Sequence, residues 1–216
     1  MSLALHGYFR SSAAYRVRIA LGLKGLDYAS IPVHLVRNGG EQRQPAYAAL
    51  NPEKLVPTLC DGDTVLGQSL AILEYLEERF PQPALLPADA AGRGRVRALA
   101  AAVACDIHPL NNLRVLQYLE GTLGIDAAQK QAWIAHWIAE GFGALETRLA
   151  RDVDTGACCH GDTPTVADCC LVPQVFNARR FALPLDAYPT ILRIDAHLAR
   201  LPAFAQAAPE AQPDAQ

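Results

Sequence analysis

A proline-rich break at residues 81–87 (Pro81, Pro83, Pro87) divides this 216-residue chain into two stretches of different hydrophobic periodicity. That change limits the fold more than any other feature. Before the break, short apolar runs alternate with helical patterns. Residues 3–9 read as a strand, and Ser12–Leu23 as a helix with Val17, Ala20, Leu21 and Leu23 on its apolar side and Gly25 as its stop. Residues 28–36 are β-branched and alternating, with Pro32 marking an edge or irregular strand. A polar loop follows over 37–44. Residues 56–60 and 64–66 flank Asp61-Gly62-Asp63, the pattern of a β-hairpin. Residues 70–79 then form a helix, with Ser69 placed to cap it. Beyond the break the pattern is helical throughout: 93–119 with a kink at Pro109, 127–150, a helix opened by Thr165-Val166-Ala167-Asp168, and 188–201. The Ala/Pro/Gln-rich tail, 207–216, is expected to fray.

Strand–helix–strand followed by hairpin–helix is the order of a thioredoxin-like domain. The expected architecture is therefore an α/β N-terminal thioredoxin-like domain, residues 1–84, plus an all-α C-terminal domain, residues 90–210. Hydrophobic residues make up 51% of the chain, enough for a real core. The net charge of −3, without a basic run, argues against a nucleic-acid partner. The longest apolar run, 98–105, is too short to span a bilayer, and the first residues lack a signal-peptide pattern. A soluble cytoplasmic protein is the expectation, with no membrane partner. Six cysteines without C-x-x-C or zinc spacing read as buried hydrophobes or free thiols, and no metal site is expected.

The junction between the first strand and first helix carries Arg10, Ser11 and Ser12. A helix start leaves backbone N–H groups open and, with the helix dipole, favours an anion. Taken alone, the two serines are explained as well by an N-cap.

Further motifs follow in order: R-S-S-x-x-x-R-V-R-I-A-L from Arg10, L-N-P-x-x-x-V-P-T-L from Leu50 and Q-S-L-A-I from Gln68. Later come G-D-x-x-T-x-A-D from Gly161 and L-V-P-Q-V-x-N-A-x-R-F from Leu171. Together they cover nearly the whole chain, which resembles the glutathione transferase superfamily and, within it, the zeta class of maleylacetoacetate and maleylpyruvate isomerases. The stretch from Cys105 to Asn112 looks most like the bacterial maleylpyruvate isomerase branch. One departure stands out: the cysteine that usually follows the two serines is Ala13 here, so no protein thiol lies at this helix start.

The resemblance implies glutathione as cofactor and assigns roles residue by residue. Ser11 and Ser12 lie against the glutathione sulfur, with Ser12 the first choice for the thiolate contact. Hydroxyl donation and the helix start would lower the thiol pKa from its ordinary value of about 8.5. Val56-Pro57 resembles a cis-proline turn that presents the Val56 backbone to glutathione like an added strand. Gln68 and Ser69 would take the γ-glutamyl carboxylate, and Gln42, His108 and Asn112 resemble further glutathione contacts. Arg10, Arg114 and Arg180 would bind the two carboxylates of the substrate through their guanidinium forks. Each has an ordinary alternative: a cap for the serines, a solvated side chain for Gln42, a satisfied structural role for His108 and a surface ion pair for any arginine. Asp168 is read as structural, a capping residue that nucleates its helix.

The implied activity is glutathione-dependent cis–trans isomerisation of a maleyl keto acid, maleylpyruvate or maleylacetoacetate, by a homodimer. Two other readings compete. The same thiolate and arginines could conjugate or dehalogenate small α-halo acids. Alternatively the chain could be a non-catalytic interaction module, although a scaffold needs none of the Ser-Ser, Val-Pro and Gln-Ser sites.

Overall fold

The structure, a computed structural model, describes residues 3–215. Two compact units form: one holds the residues up to Leu85 together with those from Arg200 onward, the other Leu86–Ala199.

The first unit is built on a four-stranded sheet. Strands β1 (Leu3–Gly7), β2 (Tyr28–Pro32), β3 (Thr58–Asp61) and β4 (Thr64–Leu66) lie in the order β2-β1-β3-β4. β1 runs parallel to β2, with Leu5 opposite Ser30, and antiparallel to β3, with Leu5 opposite Leu59. The hairpin turns at Gly62, whose φ of 57° suits glycine. β2 ends at Pro32, earlier than the alternation to residue 36 predicts. A proline cannot donate to a ladder, and the chain leaves the sheet there.

Helix α1 (Ser12–Leu23) is the centre of this unit; a short helix, α2 (Pro45–Leu50), follows β2 in the chain where the sequence pattern predicts none. Its periodicity predicts one apolar stripe, but the helix is buried nearly all round: Val17, Ile19, Ala20 and Leu21 are fully enclosed, and Arg16 and Arg18 are buried too. Each large apolar side chain so enclosed contributes roughly 1.5–3 kcal/mol. α1 packs against α3 (Ser69–Arg79) and against the short α9 (Pro202–Ala207). A Cβ at Gly22 would sit 3.2 Å from that of Ala203, so glycine is what lets α9 cross closely.

The C-terminal segment therefore belongs with the sheet and not with the helical unit, which sequence reasoning ran to residue 210. Nor does the tail fray as expected. Arg18 donates to the carbonyl of Ala207 at 2.9 Å, and the Phe9 N–H donates to the Asp214 carboxylate at 3.1 Å. Burial pulls the Arg18 pKa down to about 10, which leaves the guanidinium charged at neutral pH. Lys24 is enclosed as well; its ammonium reaches Glu77 at 2.8 Å and the carbonyls of Phe80 and Pro83.

The second unit is helical: α4 (Ala90–Ala101), α5 (Leu113–Gly121), α6 (Ala127–Arg151), α7 (Val166–Arg180) and α8 (Pro189–Leu198). The single helix predicted over 93–119 is instead interrupted. α4 widens into a π-helical turn over Ala102–Ile107, tightens through His108–Asn111, and stops at Asn112, whose side chain caps α5 by accepting the Arg114 N–H. Pro109 removes a helical donor, and the Asn112 cap makes restarting favourable. α7 opens with a reciprocal box between Thr165 and Asp168. Asp168 is fully buried and accepts from Thr165 N (2.7 Å), Thr165 Oγ1 (2.8 Å) and Cys159 N (2.8 Å), the structural role expected of it. Among the described residues, no helix is long and apolar enough to cross a membrane.

Candidate active site

β1 delivers the chain to the start of α1 through Tyr8, Phe9 and Arg10. Ser11 is the N-cap: it has extended backbone angles, and its Oγ accepts the Ala14 N–H at 3.2 Å. Ser12, 5% exposed, is the first helical residue, and its hydroxyl makes no hydrogen bond to any described residue. The two serines thus divide the work. One closes the helix; the other keeps its proton at a helix start, where an anion is favoured. Arg10 is exposed but oriented. It donates to Tyr8 Oη at 2.8 Å and lies over the Phe9 ring, 5.0 Å from its centroid.

The Val56–Pro57 peptide is cis. Among the described residues nothing bonds the Val56 backbone N–H or C=O, so a donor and an acceptor remain open just before β3. They are the groups an extended peptide would use to pair as an added strand.

Gln68 stands at φ 60° and ψ 108°, a costly conformation for a residue with a side chain, of order 1–3 kcal/mol. Its amide donates to Glu53 at 2.8 Å. Ser69 is not the cap of α3 that the sequence predicts. It is the first residue of the helix, and its Oγ accepts from Arg16 Nη1 at 3.0 Å. No side chain caps α3, which leaves its first N–H groups available to an anion.

Gln42 is buried. Its amide makes one long bond, Nε2 to the Leu35 carbonyl at 3.4 Å, and its Oε1 has no hydrogen-bond partner. The glycine pair before it explains the seat. Gly40, at φ 100°, lies where a Cβ would come within 2.7 Å of the Gln42 amide and 2.9 Å of the Leu35 carbonyl.

His34 holds this loop, and the sequence reading passed it over. Its Nδ1 accepts the N–H groups of Val36 (3.2 Å) and Arg37 (2.8 Å). The His34 backbone N–H donates to the Glu41 carboxylate at 2.7 Å, and the His34 ring meets that of Tyr8 edge-on at 4.9 Å. A histidine three residues before a short helical turn is a local signal, but only the fold puts Tyr8 beside it. Arg16, part of the motif that begins at Arg10, likewise gains a partner only through the fold, the Ser69 hydroxyl.

The first unit thus holds Arg10, Ser11, Ser12, Gln42, Val56, Gln68 and Ser69. The other candidates lie on the helical unit. Arg114 is exposed in the first turn of α5, and its guanidinium makes no hydrogen bond to any described residue. Arg180 ends α7, stacked 4.9 Å from the Phe181 ring centroid. Its neighbour Arg179 is committed elsewhere, to Asp195 at 2.7 Å. His108 lies in the tight turn after the π-helical segment, and Asn112 is the α5 cap. The same unit holds a cavity of about 370 Å³ between the π-helical turn and α6, lined by Ala102, Ile107, Trp137, Gly141, Leu145 and Arg148 among others; no candidate residue lines it. Among the described residues, no cluster of His, Cys, Asp or Glu could hold a metal ion.

The family model for the glutathione S-transferase N-terminal domain matches residues 5–84. Over its full length the chain is similar to a probable maleylacetoacetate isomerase of Vibrio cholerae: 55% identity, covering 100% of this chain and 99% of that protein. Among solved structures it resembles the holo form of a maleylpyruvate isomerase described as a bacterial zeta-class glutathione transferase. The TM-score is 0.96 at 54% identity, over 99% of this chain and 100% of that one. It also resembles a maleylacetoacetate isomerase from Methylobacterium extorquens AM1 with malonate and glutathione bound, with a TM-score of 0.95, 41% identity and 99% of each chain covered.

Proposed function

Because the chain belongs to the glutathione transferase family and, within it, to the maleylacetoacetate and maleylpyruvate isomerases, we propose that it is a glutathione-dependent isomerase that converts a maleyl keto acid to its trans, fumaryl form. The observation that carries this reading is Ser12, a nearly buried hydroxyl at a helix start with no described partner of its own.

The residues present fit glutathione. The open N–H and C=O of Val56 suit its peptide-like middle. Ser69 and the uncapped start of α3 suit the γ-glutamyl carboxylate, with Gln68 beside them. Gln42 offers a buried, under-used amide to the glycyl end. His108 and Asn112 are assigned to glutathione as well. When bound, glutathione supplies a thiolate whose reversible addition to the alkene allows rotation about the former double bond.

The protein's part is to stabilise charge and hold geometry. With glutathione bound, the Ser12 hydroxyl would donate to its sulfur and the α1 dipole would favour the anion, holding the thiol below its ordinary pKa of about 8.5. Ser11 fixes the helix start and thereby the direction of Ser12. Arg10, held by Tyr8 and Phe9, binds a carboxylate of the substrate and stabilises developing enolate charge. Arg114 and Arg180 take substrate carboxylate through their forks. With Ala13 in place of a cysteine, the reacting sulfur is the one glutathione brings. A homodimer and a cytoplasmic location complete the proposal; six free cysteines accord with a reducing compartment.

The test follows the maleyl absorbance band of maleylpyruvate and of maleylacetoacetate with and without glutathione. Loss of the band with catalytic glutathione is expected, and the two kcat/KM values identify the keto acid. No change at high enzyme concentration overturns the reading; stoichiometric consumption of glutathione would replace it with conjugation. Light scattering of the purified protein tests the dimer.

A further inference from the structure

α1 and its C-cap carry three buried cations, and two of them have plainly structural work. Lys24 pairs with Glu77, and Arg18 ties the Phe9 and Ala207 carbonyls together. The third, Arg16, is 2% exposed, and its guanidinium reaches the hydroxyl that opens α3, Ser69 Oγ, at 3.0 Å. Four residues after Ser12, it lies on the same side of α1. Enclosing a guanidinium costs several kcal/mol unless strong partners offset it. The bond to Ser69 ties α1 to the first residue of α3.

The geometry points to Arg16 as a positioning residue for glutathione, acting through Ser69; this rests on the reading that the start of α3 takes the γ-glutamyl α-carboxylate. A guanidinium has five donors and no acceptor, so in this bond Ser69 Oγ must accept. The Ser69 proton is therefore turned away from Arg16 and left to donate. Three features then favour one anion at one place: the Ser69 proton, the uncapped first turn of α3, and a permanent positive charge behind the hydroxyl. The abnormal backbone of Gln68 lies at the same point, as expected where a fold holds strain for function. Arginine suits the position because its fork is planar and stays charged when buried, whereas a buried lysine readily loses its proton.

The experiment compares glutathione with γ-aminobutyryl-cysteinyl-glycine, which keeps the peptide and thiol but lacks the α-carboxylate. Affinities are measured by calorimetry for the full-length wild type, Arg16→Gln, Ser69→Ala and the double variant. The wild type should prefer glutathione by about tenfold or more, the scale of one charge-assisted hydrogen bond. Arg16→Gln should erase most of that preference while binding the analogue within about twofold of wild type, and the double variant should lose little beyond either single change. Equal weakening toward both ligands, or effects of Arg16 and Ser69 that multiply independently, would overturn the proposal. If the wild type does not discriminate and Ser69→Ala has no effect, the placement of the carboxylate at α3 fails first. Should Arg16→Gln not fold, Arg16→Lys keeps the charge without the fork. A reduced preference for glutathione in that variant supports the assignment, and a full one overturns it.

Discussion

Ser11 Oγ accepts the Ala14 N–H at 3.2 Å and thereby closes the first turn of α1, while its neighbour Ser12 keeps a hydroxyl with no described partner. Adjacent serines of one motif therefore differ: Ser11 Oγ is spent on the cap, and the Ser12 hydroxyl is left to donate, as the role proposed for it toward the thiolate requires. Ser11→Ala should lower global stability by about 1 kcal/mol, the usual worth of a cap. Ser12→Ala should leave the denaturation midpoint nearly unchanged, raise the pKa of the bound thiol and slow turnover more than it weakens glutathione binding. A thiolate titration near 240 nm with pH–rate profiles checks both; an unchanged profile for Ser12→Ala would remove it from the chemistry.

Two glycines of α6 give a matched pair. A Cβ at Gly141 runs into the side chain of Ile107, on the π-helical turn, whereas a Cβ at Gly143 meets nothing within 4 Å. Gly141→Ala should destabilise by roughly 1–3 kcal/mol through overpacking. Gly143→Ala should be neutral or stabilise by up to about 1 kcal/mol, because alanine orders the helix at no steric cost. Urea denaturation of both variants reads the difference, and equal midpoints would mean that α6 and the π-helical turn repack freely.

The cysteines should differ sharply in reactivity. Burial pushes the Cys158 thiol up to about 12 and that of Cys159 well above its ordinary range, and Cys169 and Cys170 are fully enclosed. Cys105 is exposed, and Cys60, half-buried, is raised by desolvation. Native protein near pH 7.5 should thus show one fast thiol toward a disulfide reagent. Cys105→Ser should abolish that phase, and the four buried thiols should react only in denaturant. Rapid labelling of Cys158 or Cys159 under native conditions would contradict the packing at the start of α7.

Arg95 joins α4 to the loop after α6. It pairs with the Asp152 carboxylate and donates to the Cys159 carbonyl at 2.6 Å and to Thr155 Oγ1 at 2.7 Å. The Asp152 carboxyl is held below its ordinary range, first by the Arg95 hydrogen bond and then by the Asp154 N–H. With a depressed folded pKa, the unfolded chain binds the proton more readily. This stabilisation is therefore complete above the ordinary pKa of about 3.9 and is lost as pH falls through the folded value. The denaturation midpoint should fall as the pH drops below about 4, and Asp152→Asn should flatten part of that fall. An identical pH slope in the variant would show that the pair contributes nothing.

What the residues alone determined were features whose causes lie within a few positions of one another. The four strands, the extent of α1, the turn at Gly62 and the Thr165–Asp168 box follow from periodicity, turn chemistry and capping, whereas the short helix Pro45–Leu50 between β2 and β3 gave no such signal. The candidate residues were legible through motif order and resemblance. Tertiary structure decided what depends on distant partners. Whether Ser69 caps α3 or receives Arg16 is settled across 53 residues. Whether the tail frays or docks is settled by Asp214 meeting Phe9 across 205. The full enclosure of α1 needed α9 to cross at Gly22, and the break after α4 needed a cap at Asn112 to compete with a continuous helix. Local propensities amount to tenths of a kcal/mol per residue, whereas an enclosed cation or a buried apolar side chain is worth several times more. Where the two scales meet, packing decides.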